Sequence, residues 1–151
     1  MDVFNKNNRT KNVIHSSLVS TSCNFLNLVK DKLSLEHVTI INTRVEEYAK
    51  SNREIYDIVT ARAVAPIKHL LEYGIPLVKL NGNFIAMKSN VEDETKNIDN
   101  YYKKLNISLV DKQEFYLPKE NSLRTLLKYK KHDKTDTKYP RRYSEIIKKD
   151  I

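Results

Sequence analysis

The chain has 151 residues, 40% of them hydrophobic and 30% charged, which suits one globular domain with a real core and excludes a disordered polyelectrolyte. No apolar run approaches the roughly 18 residues of a membrane span. Met1 to Ser17 is polar without an apolar signal region, and the lone Cys23 allows neither an internal disulfide nor a cysteine-anchored zinc site, so a cytoplasmic location is expected.

In chain order, Ser22 to Leu35 carries Phe25, Leu26, Leu28, Val29 and Leu33 at helical spacing, and the β-branched run Val38 to Ile41 follows as a strand. Val45 to Ser51 is a short helical segment and Ile58 to Ala61 a buried strand. Pro66 to Leu80 has a helical apolar face that Pro76 must kink or split, because proline removes a backbone donor and clashes with the preceding turn. Asn81-Gly82 reads as a turn into the strand Asn83 to Met87. Ser89 and Glu92 have the spacing of a capping box, predicting a helix from about Asn90 to Leu105 with a Glu92–Lys96 pair on its surface. Ile107 to Leu117 and Leu123 to Tyr129 close the chain as an antiparallel pair. Alternating strands and helices of these lengths predict a doubly wound α/β fold with an antiparallel end.

Two segments carry chemistry. The first, Asp57 to Pro66 (DIVTARAVAP), is an apolar strand ending on Arg62, followed by a proline that opens a helix; strand ends of this kind are where open α/β sheets bind ligands. The second, Lys128 to Lys149, supplies much of the net charge of +8 and interleaves Tyr129, Tyr139 and Tyr143 with its cations. Basic side chains attract polyanions and aromatic rings stack on unpaired bases, so nucleic acid is a better partner for it than a membrane surface. A solvated basic tail is the alternative. His15, His37, His69 and His132 are scattered without ligand spacing, so no metal site is expected.

The stretches LVSTSCNFLNLV, INTRVEEYAKSNREIYDIVTARAVAPIKHLLEYGIPLVKLNGNFIAMK, SLRTLLKYKK and KYPRR together resemble the glucose-inhibited division protein B family over residues 18 to 143. The ordered set R-x-E-E, D-x-V-x-A-R-A-V and K-Y-P-R is far more specific than any one motif. The resemblance implies a Rossmann-like methyltransferase that uses S-adenosylmethionine to modify N7 of a guanine in small-subunit ribosomal RNA. It also implies that Val45 and Glu46, after the third strand, contact the adenosyl part of the donor, and that Arg62 contributes to the same pocket. Lys88 would face phosphate or the target base, and Lys138, Arg141 and Arg142 would contact RNA phosphates. Each has a plainer alternative: Glu46 a surface helix acid, Arg62 an ion pair with Asp57 or Glu72, Lys88 a solvated strand end.

The N-terminus departs from that family. Its members run a first strand into a glycine-rich loop, because only glycine lets the backbone approach the donor closely. Here the two glycines, Gly74 and Gly82, both follow Arg62. The acid that should hold the ribose hydroxyls is expected at Ser20 and is absent, which leaves only part of the donor site. Residues 1–17 are therefore expected to be poorly ordered or foreign to the family, 18–130 to form a truncated methyltransferase domain, and 131–151 a basic tail. Without its first strand the sheet would keep two unpaired apolar edges, open to a partner or to self-association unless Val13 and Ile14 supply a substitute. The readings are an rRNA methyltransferase, a catalytically inactive rRNA-binding relative, or a non-functional gene fragment.

Overall fold

A computed structural model describes residues 1–4, 11–15, 20–62 and 65–151. Its elements are β1 (Asp2–Phe4), β2 (Lys11–His15), α1 (Ser20–Lys32), β3 (Val38–Asn42), α2 (Val45–Ser51), β4 (Tyr56–Arg62), α3 (Ile67–Gly74), a single 3₁₀ turn (Ile75–Leu77), β5 (Val78–Lys88), α4 (Asp99–Leu105), β6 (Ile107–Tyr116), β7 (Leu123–Lys131) and α5 (Tyr143–Ile146). Seven strands form one sheet in the order β3-β2-β1-β4-β5-β7-β6. β2 runs parallel to β3 and β4 parallel to β5, while β7 and β6 add antiparallel strands beyond β5. The α/β sheet with an antiparallel end is the architecture that the alternating sequence pattern predicts.

The gap expected beside the missing strand is filled from within the chain. β1 sits between β2 and β4 and pairs antiparallel with both, Val3 opposite Asn12 on one side and Val59 on the other. Unpaired inner edges expose backbone N–H and C=O groups that must find partners, and a three-residue strand from the N-terminus is enough to meet them. This corrects the expectation of disorder for Asp2 to Phe4; the rest of that stretch, 5–10, lies outside the described residues. Val13 and Ile14 lie in β2, opposite Ile40 and Ile41. β2 ends at His15 and Ser20 opens α1, so Ser20 does not follow the strand directly.

Three boundaries move for identifiable reasons. Pro76 splits its helix: α3 stops at Gly74 and the proline sits in the 3₁₀ turn. Asn81 takes a positive φ of 62° inside β5 instead of turning the chain, where the β4–β5 register slips between Tyr56 and Ile58. The Ser89 capping box does not form; Asn90 Oδ1 accepts from the Glu92 N–H, Lys96 pairs with Asp93, and α4 starts only at Asp99. Local side-chain bonds of the Asn type compete with helix nucleation, which explains the delay.

The core lies between the sheet and α3, which packs on β4 and β5 with α2 and α4 on either side. Val59, Ile67, Leu70, Leu71, Phe84, Leu127 and Tyr129 are fully buried there. Lys131 is also fully buried: its Nζ donates to Glu54 Oε1 at 2.9 Å, Ile75 O at 3.1 Å and Val78 O at 2.9 Å. Burial pushes the Lys131 ammonium pKa down, and the Glu54 carboxylate partly restores it.

The residues after Lys131, expected as a tail, form a strap fastened to this body. Arg53 donates to the carbonyl oxygens of Thr135, Asp136 and Tyr139, and the Tyr139 and Ile146 side chains are buried. Arg141 pairs with Glu72, Lys68 with Asp150 at 2.5 Å, and Tyr101 donates to Asp150. Hydrogen bonding and charge from Lys68 hold the Asp150 carboxyl below its usual pKa. Burial raises the Glu54 carboxyl, but bonds from Lys131 and the Thr135 N–H outweigh it and the net shift is also downward. A carboxyl with a depressed folded-state pKa contributes stability above its unfolded pKa of about 4, and that contribution is lost as pH falls through the folded value. The urea midpoint should therefore drop on acidification below about pH 4. A Lys68→Met variant should show a shallower drop; an identical profile would remove Asp150 from the account.

Candidate functional site

The carboxyl ends of β3 and β4 feed α2 and α3, and the helix starts define a cavity of about 390 Å³. Arg44 is extended (φ −69°, ψ 137°) and turns the chain into α2, so that Val45 and Glu46 fall in its first turn, both buried. Glu46 is not a surface acid: it is buried on the cavity lining, with Arg44 Nη1 3.5 Å from its Oε1. Glu47 points outward and pairs with Lys50 at 2.7 Å. Across the cavity, Pro66, His69, Leu70 and Tyr73 supply the α3 wall. Burial, with the Glu46 charge next in weight, pushes the Tyr73 phenol up to about 12. Burial also lowers the His69 pKa, so that imidazole favours its neutral form. The cavity thus offers one buried carboxylate acceptor beside apolar side chains such as Val45, Leu70 and Ile147, with Met1, Arg44 and His69 also on its lining, which suits a flat ligand with an N–H edge.

Arg62 does not line this cavity. Along β4 the side chains alternate, so Ala61 is buried while Arg62, one residue on, is exposed. Arg62 lies opposite Met87 of β5 and lines a second cavity of about 640 Å³ with Lys88, Phe115, Glu120, Arg124 and Leu126. Neither alternative partner holds it, because Asp57 pairs with Lys79 and Glu72 with Arg141. Among the described residues the Arg62 side chain makes no hydrogen bond or ion pair.

Lys88 lines the second cavity but is committed: Nζ donates to Ala65 O at 2.9 Å and pairs with Glu94 at 2.8 Å. Glu94 in turn accepts from the Ile67 N–H at the start of α3, so Lys88 ties the end of β5 to the loop after β4. Lys138 and Arg141 share a third, shallower cavity of about 330 Å³ with Lys104 and Lys149. Lys138 is exposed, paired with Asp136 at 2.9 Å and set 5.1 Å from the Tyr139 ring. Arg141 is bidentate to the fully buried Glu72, Nε and Nη2 each at 2.8 Å, and its backbone N–H donates to the same carboxylate. Arg142 is exposed at the start of α5, where its N–H bonds Glu145. Among the described residues no three His, Cys, Asp or Glu side chains group as a metal site, and no helix is long and apolar enough to cross a membrane.

Sequence reasoning thus expected one pocket for Val45, Glu46 and Arg62, and the fold separates Arg62 from the other two. It missed Tyr73, Phe115, Glu120 and Tyr143 as lining residues. Only Tyr143 carried a signal, as an aromatic ring among the cations of the last segment.

Known proteins share the sequence and the fold over most of this chain. The family model for GidB, rRNA small subunit methyltransferase G, matches residues 12–123. Ribosomal RNA small subunit methyltransferase G of Fusobacterium nucleatum is 41% identical over 133 residues, covering 88% of this chain and 57% of that protein. Its counterpart in Caldanaerobacter subterraneus is 41% identical over 130 residues, covering 85% and 54%. The chain therefore spans about half the length of these relatives. Among solved structures, M. jannaschii TYW2 in complex with AdoMet has the same fold at a TM-score of 0.57 and 14% identity, covering 79% of this chain and 55% of that one. The N-methyltransferase NodS of Bradyrhizobium japonicum does so at 0.56 and 8%, covering 81% and 73%. Since the family model spans most of the chain, from β2 to the start of β7, the chain belongs to the rRNA small subunit methyltransferase G family.

Proposed function

We propose that this chain takes part in S-adenosylmethionine-dependent methylation of N7 of a guanine in small-subunit ribosomal RNA. The observation that carries the reading is the buried Val45–Glu46 pair on a cavity at the carboxyl end of β3, in a chain of this family. An adenine nucleoside suits that cavity: apolar lining residues such as Val45 and Leu70 would take the base, and the Glu46 carboxylate would accept its amino N–H. Bound there, S-adenosylmethionine supplies an electrophilic methyl group on sulfonium. Guanine N7 is an unprotonated acceptor, so no general base is required of the chain, and its residues act by alignment and by excluding water. Arg62, Phe115 and Arg124 border the second cavity, where a cation and an aromatic ring suit an RNA nucleotide. Lys138 and Arg142 are two of the exposed cations of the strap and would take phosphates.

One observation favours a second reading, an RNA-binding relative without activity. The strand beside β4 is antiparallel and three residues long, where a donor-binding sheet would run a parallel strand into a glycine loop. Calorimetry separates the two readings. Saturable heat with S-adenosylmethionine supports the donor reading, and none at millimolar donor removes it. RNA binding should weaken steeply with salt, and Lys138→Ala with Arg142→Ala should reduce the salt slope by about one for each phosphate left without its cation. A slope unchanged in the double variant would take the strap out of the interface.

A further inference from the structure

We infer that Tyr143 is a purine-binding residue, its ring forming the outer wall of the Glu46 cavity and stacking on the base of an adenine nucleoside bound there. The inference rests on the donor reading above and adds to it a residue from the opposite end of the chain. Tyr143 at the start of α5 and Ile147 just after it join the cavity lining, so the strap adds to a site built mainly from the starts of α2 and α3.

Three features equip the ring for stacking. It is 48% exposed and lies on the cavity lining, with the Arg44 guanidinium over one face of the ring and the other face left for a ligand. It is held in place: the Arg44 guanidinium lies 5.4 Å from its centroid, Ile146 of the same helix is buried, and Arg141 two residues earlier is anchored on Glu72. A side chain already ordered loses little freedom when a ligand stacks on it. Finally, the acceptor is close by, because Arg44 touches both the Tyr143 ring and the Glu46 carboxylate. A stacking face and a hydrogen-bond acceptor linked through one guanidinium match a planar base with an exocyclic amino group.

The chain contains no tryptophan, so Tyr143→Trp creates a lone indole at the site. Titrating that variant with S-adenosylmethionine, and separately with adenosine, should quench and shift its emission to saturation. By calorimetry Tyr143→Trp should keep the wild-type affinity for S-adenosylmethionine, while Tyr143→Ala should bind about tenfold or more weakly, as expected for removing a base–aromatic stack. The urea midpoint of Tyr143→Ala, at a half-exposed position, should stay near wild type and separate a missing stack from impaired folding. Wild-type affinity in Tyr143→Ala, or an unmoved indole while calorimetry records binding, overturns this inference and leaves the donor reading standing. If the wild-type chain binds neither compound, both fall together.

Discussion

Replacing Lys131 with methionine should lower the unfolding free energy by about 2–3 kcal/mol, read from urea denaturation. Lys131 is fully buried and its Nζ satisfies three acceptors at once, the Glu54 carboxylate and the carbonyl oxygens of Ile75 and Val78. Methionine keeps most of the apolar stem, so the effect isolates the ammonium. Without it the partly exposed Glu54 retains the Thr135 N–H and the nearby Arg53 charge, while the carbonyls of Ile75 and Val78 lose the buried ammonium donor, Ile75 O keeping only the Val78 N–H. The double variant Lys131→Met, Glu54→Gln should regain part of the stability, because the Glu54 charge is gone while the carbonyls still lack the ammonium donor. A drop under about 1 kcal/mol in the single variant would show that the ammonium does no more than offset its own desolvation.

Arg141→Ala should destabilise the chain by about 3 kcal/mol and loosen the strap that follows. Glu72 is fully buried on α3 and receives both side-chain bonds of Arg141, so truncation leaves a carboxylate in the core with only a backbone donor. Arg141→Lys should recover little, since an ammonium cannot reproduce the bidentate fork. Limited trypsin digestion should then cut among Lys138, Arg142 and Lys148 faster than in the wild type, and Arg142→Ala, at an exposed position, should stay within about 0.5 kcal/mol. Equal stability of Arg141→Ala and Arg142→Ala would contradict a structural role for the Glu72 pair. This result also bears on RNA binding. Reversing Arg141 and Arg142 together, the test that charge alone suggests, would mix unfolding with weakened phosphate binding, so Lys138 and Arg142 are the cleaner probes.

Several features of the fold were legible in the sequence. The periodicity of DIVTAR and NFIAM set two neighbouring parallel strands, because period-2 runs rich in β-branched and aromatic residues are local properties. R-x-E-E set the start of α2 and brought Val45 and Glu46 to the end of β3, and the same motifs identified the family. Pro76 announced its own break. In each case a few consecutive residues carry the whole cause.

What the sequence could not decide depends on partners distant along the chain. Asp2 to Phe4 carries no strong strand signal; it becomes a strand because β2 and β4 leave backbone groups between them that only another backbone can satisfy. Arg62 parts from Glu46 because a one-residue step along β4 reverses the face, and only the register with Met87 and Leu126 shows which cavity that face borders. Charge composition made Lys131 to Ile151 a tail, whereas Glu72, Glu54, Arg53 and Lys68 make it a strap, each placed by its own element far from the segment it holds. Charge is a property of the sequence; what that charge is paired with is settled only when the elements pack.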